Sequence, residues 1–208
     1  MTAVAVPRLC PFCRLRPLQP WRDPHLHTCT VCAAQAVTRP EQLQSLAQWL
    51  LAQIAQVTPW SLRRGSTRVR LLDPVAFEQR FGNGVAGLAQ QWWLDGRLGQ
   101  QHQRAEVFLQ YGSPAARALW VLGHELGHVL VAQQGWTFAH AADEEGFCQT
   151  LAWALTAGSA NPQMPEVRQQ EWQRGDPVYG DGLRQGVHTV RQQGWMGYLR
   201  QLGLCLNI

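Results

Sequence analysis

Lysine is absent from this sequence, so all 18 basic side chains are arginine and no side-chain amine exists to accept an isopeptide-linked modifier. The arginines are scattered. A net charge of +4 spread this way forms no stripe to track a phosphate backbone, and nucleic acid is excluded as an expected partner. Charge of either sign is sparse, 15% of residues against 46% hydrophobic, the balance of a globular chain whose 208 residues can bury one good core and a small appendage. No apolar run reaches the roughly 18 residues of a membrane span, and no membrane partner is expected. The opening "MTAVAVPRLCPFC" lacks the charged start and long apolar stretch of a secretory signal, so the expected location is the cytoplasm. An internal repeat is missing too: the ten tryptophans, from Trp21 to Trp195, share no period and are assigned to the core or a cleft rather than to a stacking platform.

What the sequence does contain is first a cysteine cluster. Cys10, Cys13, Cys29 and Cys32 form a C-x2-C-x15-C-x2-C pattern, while Cys148 and Cys205 stand alone. In a reducing compartment this pattern suits four thiolates around one structural zinc, because each two-residue spacer lets a tight turn aim both sulfurs at one ion. His25 and His27 are substitute ligands in principle, though a loop position explains each as well. The proline-rich "RLRPLQPWRDP" has too little apolar content to fold without metal. The division expected is a four-cysteine zinc knuckle over residues 1–37 and a main domain over 38–208.

A helix opens at "TRPEQLQSLAQWLLAQIAQ", with Thr38 and Glu41 as a capping box and Leu43, Leu46, Leu50 and Ile54 as its apolar stripe. After the turn "RRGS", "TRVRLL" alternates as a strand and "DPVAFEQRF" reads as a short helix before the turn "GNG". "GLAQQWWL" and "AEVFLQY" are two further strands flanking an Asp95-Gly96 turn signal, with "GRLGQQHQR" as a loop holding His102 at the surface.

The chemistry concentrates in "WVLGHELGHVLVAQ". Ser113 as N-cap, Pro114 at the first helical position and Gly135 as the stop frame one helix of about six turns. Positions i and i+4 share a helix face, so the imidazoles of His124 and His128 can reach one zinc ion while Glu125 turns aside toward a water. Leu119, Leu122, Leu126, Val129 and Leu130 supply the surface that buries the helix. A second periodic helix, "ADEEGFCQTLAWAL" with Asp143 as cap, offers Glu144 or Glu145 as third ligand, leaving a fourth position open as catalysis requires. Helical neighbours point about 100° apart, so only one of the two glutamates can face the histidine pair.

The segments "VFLQYGSPAARALWVLGHELGHVLVAQQGW", "DEEGFCQTLAWAL" and "GDPVYGDGLRQGVHTVRQQGW" resemble, in order and spacing, the peptidase domain of the plant "DA-one" family of LIM-associated, ubiquitin-regulated peptidases and its smaller bacterial relatives. The first two are similar to a gluzincin core; the third is the more diagnostic, since general zinc chemistry does not demand "PVYGDG". The resemblance implies an α+β zincin fold: a small twisted sheet on the metal helix, a second helix bearing the glutamate, and a helical C-terminal part. "EEGF" is similar to the "NEGF" and "NEAI" of zinc peptidases whose second acidic position binds metal. This selects Glu145, places Cys148 and Gln149 on the metal side and directs Glu144 away. Where many gluzincins carry an aspartate that orients a ligand histidine, this chain has Gln149, whose amide oxygen can accept the same hydrogen bond. This sequence shows no ubiquitin-interacting helices and no full LIM domain, and ubiquitin regulation is not expected of it.

The implied activity is peptide hydrolysis with one catalytic and one structural zinc, Glu125 acting as general base and then acid. Tyr179, in the glycine-rich "PVYGDG", is the candidate oxyanion donor; His140 and His188 are alternatives, each explained equally by a structural role. A substrate strand could add to the sheet through "AEVFLQY". The expected partner is a protein or peptide substrate, with a regulatory partner left open. Two other classes compete: a repressor-cleaving protease, disfavoured by the lack of a helix-turn-helix, and a zinc scaffold without activity, which would need the ligands but not Glu125.

Overall fold

A computed structural model describes residues 9–10, 12–13, 16–19, 28–63, 65–82, 87–95 and 101–204. His25, His27, Gly96, Cys205 and most of the "GNG" and "RLRPLQPWRDP" segments lie outside them. The architecture is mixed α and β, with a helical layer against one small sheet.

The first helix, α1 (Thr30–Ala33), is a single turn directly after Cys29. It leads into α2 (Pro40–Val57), where Pro40 takes the first turn and Arg39 is the N-cap residue. Gln42 Oε1 accepts the backbone N–H groups of both Thr38 and Arg39 at 3.0 Å. The box expected from Thr38 and Glu41 is thus shifted by one residue, because proline suits the first helical position, where its missing N–H is no loss. Leu43, Ala47, Leu50 and Ile54 form the buried stripe, with Leu46 half-buried.

Strand β1 (Thr67–Leu72) is followed by α3 (Pro74–Phe81), whose cap Asp73 accepts from the N–H groups of Val75 and Ala76 at 3.0 Å. Strands β2 (Gly87–Asp95) and β3 (Gln101–Gln110) complete a sheet of order β1-β3-β2, with β1 parallel and β2 antiparallel to β3. Two expectations change here. His102 belongs to β3, paired with Leu94, rather than to a surface loop. The polar "QQHQR" run has no apolar alternation to reveal it, and the backbone ladder with β2 makes the strand. "AEVFLQY" is also the central strand, with no free edge for a substrate; the edges are β1 and β2.

The histidine-bearing helix α4 (Ala115–Gln134) starts one residue later than its sequence signals. Pro114 is the cap residue, and the Ser113 hydroxyl donates to the Gln110 carbonyl at 2.9 Å instead of capping. Gly135 ends the helix at φ 67°, the left-handed conformation glycine adopts without penalty. In α5 (Ala141–Leu155) the helix begins before Asp143, which sits in the first turn rather than at the cap. Helix α6 (Met164–Trp172), a π-helical turn over Pro177–Asp181 and α7 (Gly182–Gln201), kinked at Gly194, finish the described chain.

Leu122, Leu126 and Leu130 of α4 are fully buried between β3, α2 and α5. Each contributes about 2 kcal/mol of burial, which fixes the rotation of the helix and hence the direction of His124 and His128. Among the described residues Trp120 and Trp195 are buried and Trp49, Trp60, Trp136, Trp153 and Trp172 are half-buried against the core; Trp60, Trp136 and Trp195 meet Phe147 edge-on, with centroids 6.3, 5.6 and 5.9 Å away. Among the described residues no helix is long and apolar enough to cross a membrane.

Candidate metal centres

Cys10, Cys13, Cys29 and Cys32 converge in a buried group with sulfurs within 4.8 Å of one another. Cys13 and Cys29 Sγ stand 3.7 Å apart, close to the ~3.8 Å edge of a zinc–thiolate tetrahedron and far beyond the ~2.05 Å of a disulfide. Burial would raise the Cys10 thiol, but the Thr28 hydroxyl at 3.2 Å and the backbone amides of Cys13, Cys29 and Phe12 outweigh it and lower the value to about 6. Cys32 is pushed up, by burial first and then by the neighbouring sulfurs. Four buried sulfurs brought this close together are the donor set a soft divalent ion satisfies. The segment after Cys32 then pairs with the approach to α4: Val37 N–H donates to Ser113 O, Gly112 N–H to Val37 O and Ala115 N–H to Gln35 O, at 2.8–3.0 Å.

The second group is His124, His128 and Glu145, again within 4.8 Å of one another. His124 Nε2 lies 3.1 Å from Glu145 Oε2 and His128 Nε2 lies 3.7 Å from Glu145 Oε1. These bracket the ~3.4 Å expected between two ligands of a tetrahedral zinc. Glu145 Oε2 is buried and makes no hydrogen bond despite the 3.1 Å approach, the arrangement of two donor atoms aimed at a shared point rather than at each other. Both candidate centres therefore fit zinc: a closed set of four thiolates, and an open set of two imidazoles and one carboxylate. Burial raises the Glu145 carboxyl, but His124 and His128 bring it below the ordinary value.

Glu144 is not directed away. Its Oε1 lies 2.8 Å from His128 Nδ1, on the ring side opposite Glu145. Neighbouring helical residues can both reach one imidazole because its two nitrogens lie on different sides of the ring, so the backbone angle alone misleads. Burial lowers His128, but the Glu144 contact and the charges of Glu125, Glu145 and Glu144 raise it overall. Gln149 does not orient a ligand; its Oε1 accepts from the Trp120 indole at 3.1 Å. Cys148 is fully buried, and burial raises its thiol well above the ordinary value.

Two glycines that the motif reading passed over make this geometry. Gly123 and Gly127 lie on the α4 face that meets α5, and a Cβ on Gly127 would sit 2.8 Å from Cys148 Sγ and 2.9 Å from its Cα. Their spacing of four is the signal that could have revealed the seam. Gly127→Ala is expected to push α5 outward, costing about 1–3 kcal/mol in a denaturant melt and weakening metal binding through Glu145. A parental melt and metal affinity would show that the seam has slack.

Glu125 is 7% exposed and lies outside the ligand set. A Cβ on Gly87 would stand 3.3 Å from its Oε1, so strand β2 runs tightly over the carboxylate. Burial raises its pKa, against the lowering effect of His124, His128 and the Ala89 N–H. Gln91 Nε2 donates to the His128 carbonyl at 2.9 Å, a second tie between β2 and α4. The π-helical turn carries Tyr179 to a ring centroid distance of 6.1 Å from His124. Close Gly146–Gly182 packing seats this turn on α5, since a Cβ on Gly182 would meet the Gly146 Cα at 2.9 Å. His140 and His188 are exposed, and neither joins the His124–His128–Glu145 group. Comparisons with family models, curated proteins and solved structures yield no match to the chain.

Proposed function

We propose that this chain is a zinc-dependent peptidase with a zincin fold of the gluzincin type, related to the peptidase domain of the DA-one family. The observation that carries the reading is Glu125: a buried carboxylate beside an open three-ligand centre, and no ligand itself. A scaffold needs the ligands alone. His124, His128 and Glu145 would hold the catalytic ion, and the four cysteines a structural one.

Zinc supplies Lewis acidity, polarising a carbonyl and bringing the pKa of a water toward about 7. Glu125 accepts the proton of the attacking water and delivers it to the leaving amine nitrogen; its raised pKa suits both steps. Tyr179 donates its phenol hydrogen bond to the carbonyl oxygen as negative charge develops there. Strand β2, an edge strand running over Glu125, binds an extended peptide through its backbone. Such recognition is tolerant of sequence and suits protein or peptide substrates.

The test is incubation of the zinc-loaded protein with unfolded proteins and a peptide library, reading new N-termini by mass spectrometry. Cleavage that a chelator abolishes and added zinc restores is expected. No cleavage with both sites loaded would sink the peptidase reading in favour of a scaffold.

A further inference from the structure

We infer that Arg174 is a positioning residue that holds the Tyr179 ring beside His124, an inference that rests on the peptidase reading and deepens it. The guanidinium carbon of Arg174 lies 4.4 Å from the Tyr179 ring centroid, over its face, and the ring itself is 6.1 Å from that of His124. The cation is anchored at two points. Its Nε is 2.5 Å from Asp176 Oδ2, and its NH1 is 3.4 Å from Glu171 Oε2.

Each anchor is fixed in turn. Asp176 Oδ1 accepts the Tyr179 backbone N–H at 2.7 Å, so one carboxylate holds both the phenol's own residue and the cation on its ring. Glu171 is 5% exposed and its other oxygen pairs with Arg117, which lies on α4 ahead of His124. Through Glu171 the clamp is therefore referenced to the same helix that carries the histidines. The backbone closes equally tightly: the Arg174 carbonyl accepts from Arg184 at 3.1 Å, and a Cβ on Gly180 would collide with that oxygen at 1.9 Å.

A surface arginine that only neutralised Glu171 and Asp176 would not need to cover a ring. Arg174 is 41% exposed, yet its guanidinium is tied to two carboxylates and lies over one aromatic face. Removing the cation takes away its contact with the face of the Tyr179 ring and leaves the Asp176 bond to the Tyr179 backbone N–H, so the ring is expected to shift relative to His124. The spacing of Arg174, Asp176, Tyr179 and Gly180 in "RGDPVYGDG" is accounted for by this clamp.

The chain has three tyrosines, so NMR of protein carrying ring-labelled tyrosine resolves Tyr179 from Tyr111 and Tyr198. In zinc-loaded Arg174→Gln the Tyr179 signal is expected to move and broaden while the other two and the metal content stay parental. Hydrolysis should lose about tenfold in kcat with KM within about twofold, the signature of a misplaced group that acts in the transition state. Arg174→Lys should recover most of the loss, since an ammonium also sits over a ring. Adding Arg174→Gln to Tyr179→Phe should cost nothing further. A parental Tyr179 signal in Arg174→Gln, or losses that add in the double variant, overturns the inference. If Arg174→Gln does not fold, Asp176→Asn keeps the Arg174 cation but removes the charge of one anchor, and the Tyr179 signal must still move. If the parent cleaves nothing, the signal alone decides Arg174's role and the peptidase reading falls separately.

Discussion

Glu125→Gln is expected to reduce peptide hydrolysis by about 10²–10⁴-fold while both metals and the fold are kept. The substitution is isosteric, so the contact with strand β2 at Gly87 and the burial of the side chain survive. What disappears is the acceptor for the water's proton. The stability change has a definite sign. Glu125 is an acid whose folded pKa is raised, chiefly by burial, so its ionised form destabilises the fold at pH values above the ordinary carboxylate range, and that cost vanishes as pH falls. The neutral amide removes the cost, and the metal-free variant should melt no lower than the parent. Activity assays, elemental analysis and a thermal melt on the same preparations check all three points. A variant that cleaves as fast as the parent, or that loses the His124–His128–Glu145 metal, removes Glu125 from the mechanism.

Glu145→Ala should strip the second centre of its ion, whereas Glu144→Ala should weaken it by about 10–100-fold and Glu144→Gln by less. Glu145 supplies one of the three donor atoms; Glu144 only fixes the ring of His128 through Nδ1 at 2.8 Å. An accepting amide in Glu144→Gln preserves that hydrogen bond without the charge. Zinc titration measures each variant, and the four-cysteine centre serves as an internal reference because its sulfurs form a separate buried cluster. Parental affinity in Glu144→Ala would reduce the 2.8 Å contact to a neighbourly one. Retention of both ions in Glu145→Ala would leave the open three-ligand centre without its carboxylate.

Local patterns carried most of the architecture. Helical periodicity marked α2, α4 and α5, alternation marked β1, the Asp95-Gly96 turn signal marked β2, and Gly135 marked the end of α4, because each reports an interaction within a few residues. Helix starts were displaced by one residue at Arg39 and Pro114, where competing cap residues stand side by side, and by three at His140. The polar end of β3 was missed, since its ladder partner, not its own composition, makes it a strand.

By itself the sequence determined the local donor pairs. Cysteines with two residues between them, and histidines one helical turn apart, must converge locally whatever the rest of the chain does. Only the tertiary structure decided what surrounds them. That Glu144 reaches His128, that Gln149 serves Trp120, that Gly127 lets α5 approach and that Arg174 covers Tyr179 all depend on separate elements being brought together. Such contacts leave no period in the chain. They arise from how closely two helices pack, and a backbone separation set by a missing Cβ is visible only once both helices are in place.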